Sequence, residues 1–130
     1  VCAAVALRAQ QLMQERDIVG HVRGLAPAFA AHVAAMDRYD FIGNVRSIGL
    51  IGAMEFAVDK HTHRKFDAPH KIAAQAVAII QKHGVILRAL PGDVIGFCPP
   101  LIISGAELDD MFARIHAAMQ DVAELAKTLR

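Results

Sequence analysis

Apolar positions recur at two different spacings along this chain, and the changes of spacing mark its elements. Residues 1–16 read as an Ala-rich helix that turns polar at RAQQLMQER and ends near Gly20. Val22, Leu25, Phe29, Val33 and Met36 then recur at intervals of three and four, which predicts a second helix over 21–37 with one apolar face. Gly24 and Pro27 fall inside it. A proline removes a backbone donor and crowds the preceding turn, so a kink or a late helix start is expected there.

From residue 41 the period drops to two: Met54, Phe56 and Val58 alternate with Ala53, Glu55 and Ala57. With Gly43, Gly49 and Gly52 as punctuation, this predicts two short strands, 43–48 and 51–58, around a tight glycine bend. DKHTHRKFDAP is a polar loop. A helix over 69–83 follows, with Pro69 in its first turn and Gly84 at its end. Strands over 85–90 and 94–97 flank the turn PGD. The last helix, 105–128, has a capping box in Ser104 and Glu107. Leu108, Met111, Phe112, Ile115, Met119, Val122 and Leu125 form its apolar stripe. Together these elements predict an α+β fold, a small and mainly antiparallel sheet with helices packed on it.

A chain of 130 residues suits one compact domain or a part of something larger. Lys and Arg number 14 against 13 Asp and Glu, and the basic residues are scattered, which argues against nucleic acid as a partner. No stretch approaches the ~20 apolar residues of a membrane span. Cys2 and Cys98 have neither zinc nor disulfide spacing, so a reducing, cytoplasmic setting is expected. The apolar fraction of 55% is high for so small a domain. The bare apolar opening VCAAVAL reads as the cut edge of a longer chain.

Few residues point to chemistry by themselves. His61, His63 and His70 lack acidic or thiolate companions at ligand spacing and read as a solvated loop. His83 stands where a cation favours the carbonyls of a helix end. Ser47 has no evident base, Ser104 is committed to its cap, and Cys98, before two prolines, reads as a buried small hydrophobe. No glycine-rich phosphate loop is present. Glu55 is either a solvent-face residue or the ion-pair partner of Arg46. Arg88 is the charge in an otherwise apolar strand that also presents Ile86 and Leu90. A guanidinium keeps its charge, so Arg88 either reaches the sheet edge and pairs with Asp93, or offers its fork to an anionic ligand.

VRSIGLIGAMEF (45–56), DKHTHRKFD, HGVILRALPGDVIGFCPPLIIS (83–104) and the final E-L-D-x-x-F helix resemble the C-terminal segment of class III, fold-type I aminotransferases, notably the omega-transaminases. The resemblance implies that residues 1–20 end an inter-domain connecting helix and that 21–130 form the small domain of such an enzyme. It implies pyridoxal phosphate as cofactor, an amine or amino acid donor, a keto acid or aldehyde acceptor, and a homodimer. The family's Schiff-base lysine and phosphate grip are expected upstream of residue 1. Lys60, Lys65, Lys71, Lys82 and Lys127 match neither, so no cofactor-binding or catalytic residue is expected here and the segment alone should be inactive. For Arg88 the resemblance implies substrate binding, by a side chain that swings in to hold a carboxylate and out to admit an uncharged group. Gly96-Phe97 replaces the R-F of relatives acting on acetylornithine or gamma-aminobutyrate, which makes those substrates less expected. Other outcomes are an aminomutase or decarboxylase of the same class, or a stand-alone α+β binding or dimerisation module.

Overall fold

The computed structural model describes residues 1–130. Four α-helices, α1 (Cys2–Glu15), α2 (Ile18–Ala35), α3 (Ile72–Lys82) and α4 (Gly105–Thr128), accompany four strands, β1 (Ile42–Ile48), β2 (Ile51–Phe56), β3 (Arg88–Leu90) and β4 (Val94–Phe97). The strands form one sheet in the order β1-β2-β4-β3, antiparallel throughout. The fold is therefore the α+β arrangement that the periodicity predicts.

Both hairpins follow from their turn residues. Ile48 pairs with Ile51, and the intervening Gly49 takes φ +57°, which suits the first central position of a two-residue turn matched to strand twist. Leu90 pairs with Val94 across Pro91-Gly92-Asp93, where Gly92 and Asp93 both have positive φ. Asp93 also serves α3, because its Oδ1 accepts the Ala73 backbone N–H at 3.4 Å.

Several boundaries differ from the periodic reading, each for a local reason. Strand β3 begins at Arg88 rather than 85. Continuing its register would set Val85 opposite Pro99, which has no N–H to donate. Strand β2 ends at Phe56; Ala57 and Val58 instead donate to Phe41 and Arg64, beyond a register shift between Ile42 and Asn44. Pro69 lies in a separate 3-10 turn (Ala68–His70), and Lys71, at φ 46°, breaks the chain before α3 starts. Helix α2 starts early rather than late. It runs through Pro27 and ends in a 3-10 turn at Met36–Arg38. Its start is set by Asp17, whose side chain accepts the Gly20 N–H; a Cβ at Gly20 would lie 2.1 Å from that carboxylate.

Helices α2, α3 and α4 cover one face of the sheet. Phe29 and Val33 of α2 reach β2 at Gly52, where a Cβ would sit 2.9 Å from Val33. Met54, Phe56, Ile95 and Phe97 meet Ile72, Ala76 and Ile80 of α3 and Leu108, Phe112, Ile115, Met119 and Val122 of α4 in one buried cluster. Helix α1 buries no residue.

The capping box of α4 is complete: Ser104 Oγ accepts the Glu107 N–H, and Glu107 Oε2 accepts the Ser104 N–H at 2.8 Å. The Ser104 N–H and the Ser104 hydroxyl, which both donate to Glu107 Oε2 at 2.8 Å, hold the Glu107 carboxyl below its ordinary range. Ser104→Ala should cost about 1 kcal/mol of stability, typical for loss of an N-cap. Chemical denaturation reads this as a lower midpoint at constant slope; an unchanged midpoint would show that the cap adds nothing.

Candidate functional site

Strand alternation sends every second side chain to the face that the helices leave uncovered. The register makes Arg46, Ala53, Gly96 and Arg88 one row across all four strands on that face. Ile48 and Ile51 flank it on one side, with Cys98 next to them. Asn44, Glu55 and Leu90 flank it on the other. The floor is apolar and open: Ile48 is 80% exposed and Ile51 61%.

Two concavities border this face. One, of about 470 Å³, is lined by Arg88 with Ile86, Leu87, Pro99, Pro100 and Met111. The other, of about 430 Å³, carries Arg46 with Ile48, Ile51 and Ala53. Leu90, Gly96 and Cys98 are walls of both.

The two arginines differ in state. Arg46 is held: its Nη1 donates to Glu55 Oε2 at 3.2 Å. Lys65 binds the other oxygen of Glu55, a partner that lies in the polar loop and that sequence spacing did not indicate. Lys65 and then Arg46 lower the Glu55 carboxyl from its ordinary value of 4.5, against some burial. A lowered carboxylate contributes stability above its unfolded pKa and loses it as pH falls through the folded one. Glu55→Gln should therefore destabilise the fold at neutral pH and leave the difference from wild type shrinking below about pH 4.5. Thermal melts across that range check it; a difference independent of pH would show that packing, not charge, is lost.

Arg88 is exposed, and none of the chain's ion pairs or side-chain hydrogen bonds involves it. The expected alternative of pairing with Asp93 is corrected here, since the Asp93 carboxylate turns to the N-terminus of α3. Cys98 is also corrected: it is exposed, not buried. Its apolar sequence neighbourhood suggested a core position, but Phe97 takes the core side and Cys98 faces the open one.

The other candidates are accounted for locally. His83 ends α3 and pairs with Asp121 of α4 through Nε2 at 3.2 Å. Asp59 organises the histidine loop by accepting from the His61 N–H and the Thr62 hydroxyl, both at 2.8 Å. No three His, Cys, Asp or Glu side chains gather as a metal site. Ser47 is exposed on β1. No helix is long and apolar enough to cross a membrane.

None of the five lysines is buried. A Schiff-base lysine must be desolvated or placed beside another cation to be nucleophilic near neutral pH. Lys60 pairs with Asp37, Lys65 with Glu55 and Lys127 with Glu124, while Lys71 and Lys82 are exposed.

The family model described as aminotransferase class-III matches residues 1–119. The chain belongs to this family of transaminases. It is 35% identical over 129 residues to a mitochondrial gamma-aminobutyrate transaminase 1 of Oryza sativa, covering 96% of this chain and 25% of that protein. It superposes on an omega-transferase from Vibrio fluvialis with TM-score 0.89 and 31% identity, over 95% of this chain and 29% of that one. A PLP-bound aminotransferase mutant from the same organism gives TM-score 0.88 and 30% identity, over 94% and 27%. The chain thus spans about a quarter of the length of these relatives.

Proposed function

We propose that this chain is the small-domain part of a pyridoxal-phosphate-dependent transaminase, which moves an amino group between an amine or amino acid and a keto acid or aldehyde. On this reading residues 1–20 end a connecting helix and 21–130 are the small domain. The cofactor and its lysine belong to the rest of the protein, where pyridoxal phosphate supplies the electron sink for the transfer. These residues by themselves are inactive.

The observation that carries the reading is Arg88, a guanidinium without an acceptor in the chain, standing over an open apolar floor. A planar fork on a flexible stem binds a carboxylate through two charge-assisted hydrogen bonds, and it can withdraw when the substituent is uncharged. The apolar walls at Ile86, Leu87 and Met111 favour the uncharged group. The similarity to a gamma-aminobutyrate transaminase keeps omega-amino acids among the donors, against the expectation drawn from Gly96-Phe97. Helix α1, which exposes Val5 and Leu7 and buries nothing, supports a homodimer or domain contact along it.

Two measurements on the full-length enzyme test the proposal. It should convert 1-phenylethylamine to acetophenone only when a keto acid such as pyruvate is supplied. Borohydride reduction in the presence of pyridoxal phosphate should fix the cofactor to a lysine outside residues 1–130. Turnover that needs no amino acceptor, or stoichiometric labelling of one of the five lysines here, would sink it.

A further inference from the structure

We propose that His116, Arg38 and Tyr39 form an acid-sensitive latch between α4 and the segment leading into β1, closed while the His116 ring is neutral and opened by a proton on its Nδ1. Nδ1 stands 2.9 Å from Arg38 Nη2 and 2.9 Å from the Tyr39 hydroxyl. A guanidinium has donors and no acceptor. Arg38 can therefore bond to Nδ1 only where that nitrogen offers a lone pair, which fixes the tautomer: the ring carries its proton on Nε2. Arg38 also donates to the Tyr39 hydroxyl at 3.2 Å and lies over the Tyr39 ring at 5.1 Å, so the three groups close a triangle.

What the latch holds is local. The Tyr39 N–H donates to the Met36 carbonyl in the 3-10 turn, and the Tyr39 carbonyl accepts the Ile42 N–H at the start of β1. The triangle thus ties the entry of the edge strand that carries Arg46 and Ile48 to the middle of α4. Two other histidines fasten α4 in the opposite sense. Asp109, near its start, pairs with His32 of α2 at 2.8 Å, and Asp121, toward its end, pairs with His83 at 3.2 Å. A proton on either of those rings makes a charged pair, whereas a proton on His116 Nδ1 sets two cations against each other. Acid therefore loosens the middle of this row of contacts and leaves both ends in place.

The surroundings of His116 favour the neutral ring. No carboxylate bonds to it: Asp37 turns to Lys60, Asp109 to His32, and Asp110 to Arg114 on α4 itself. The half-buried ring is held below its ordinary value of 6.5 by burial first, then by the charges of Arg38 and His32. An opened segment accepts the proton more readily than a closed one. The latch is therefore fully formed above about pH 6.5 and is lost as pH falls through the lower value of the folded state. Space for release lies alongside. A concavity of about 230 Å³ is lined by Arg38 and Tyr39 together with Asp40, Lys127 and Arg130, and Asp40 supplies a carboxylate there for the displaced guanidinium.

The test is hydrogen exchange in the full-length protein from about pH 7.5 to about pH 5, each rate being divided by that of an unstructured chain at the same pH. Uptake of one proton changes an equilibrium by at most about tenfold per pH unit. Protection of the Tyr39 and Ile42 amides should fall several-fold within that limit below about pH 6.5, while amides of the central strand β2 keep theirs. His116→Asn sets an amide oxygen near the place of Nδ1 and does not titrate, so protection of the segment should become independent of pH. Arg38→Met leaves the Tyr39 hydroxyl, which can donate to Nδ1 or accept its proton, so there the fall should shrink; this variant keeps the proposal testable if His116→Asn impairs folding. Constant protection across the range in the parent protein, or the parental fall retained in either variant, would overturn the latch. A parental fall shared equally by β2 would overturn it too, because acid would then be unfolding the whole domain.

Discussion

Replacing Phe112 by alanine should cost about 3–5 kcal/mol, the range for emptying a buried aromatic position. Phe112 is fully buried where three elements meet. Its ring lies edge-on to Phe29 of α2 at 5.9 Å, tilted to Phe97 of β4 at 5.6 Å and stacked on His32 at 4.6 Å. Removing it takes a side chain from water-free surroundings and leaves a cavity that α2, β4 and α4 can close only by moving together. Whole domains are stable by only about 5–15 kcal/mol, so the variant should sit near its unfolding threshold. Leu101→Ala, at a site 47% exposed, should stay within about 0.5 kcal/mol. Urea unfolding of the two variants against the parent chain separates them. A loss under about 1 kcal/mol at Phe112 would mean that the α2–α4 contact is not central to the fold.

Phe112 was legible because its signal is local. The stripe from Leu108 to Val122 repeats at helical spacing behind a capping box, and the structure buries Leu108, Phe112, Ile115, Met119 and Val122. The hairpin at Gly49 and the turn at Pro91-Gly92-Asp93 were legible for the same reason, since turn chemistry is contained in a few neighbouring residues. What failed depended on partners distant in sequence. Strand β3 does not start at Val85, because the residue that its register would set opposite, just past the end of β4, is Pro99. Cys98 is exposed because the sheet has one covered face and one open one, and the apolar run GFCPP does not say which is which. Lys65 joins Glu55 from a loop whose path no periodicity specifies.

The site follows the same division. Arg88 stood out as a charge in an apolar segment, and in the structure it is exposed. The row Arg46, Ala53, Gly96, Arg88 could not be read, because it exists only once the strand order β1-β2-β4-β3 places β4 between β2 and β3. The row is a product of register. A one-residue slip of β4 would put Ile95 or Phe97 opposite Arg88 and turn Gly96 to the core.

On the proposed function, Arg88→Ala or Arg88→Gln in the full-length protein should lower kcat/KM for the keto acid by about 10- to 150-fold while sparing a simple aromatic amine. The range is that of one hydrogen bond to a charged group, roughly 1.5–3 kcal/mol, expressed as a rate ratio. The loss should be selective because only the keto acid brings a carboxylate, and the amine's substituent meets the apolar walls instead. Arg88→Lys should recover part of the loss, since an ammonium keeps the charge but presents a point rather than a planar fork. Raised salt should leave most of the effect in place if the pair forms in a closed site, because buried pairs are screened much less than exposed ones. An arginine that merely decorates the edge of a three-residue strand predicts something else: both half-reactions would fall together, in step with thermal stability. Parallel losses would remove Arg88 from substrate binding, whereas loss confined to the keto acid would account for a permanent charge held without a partner above an apolar floor.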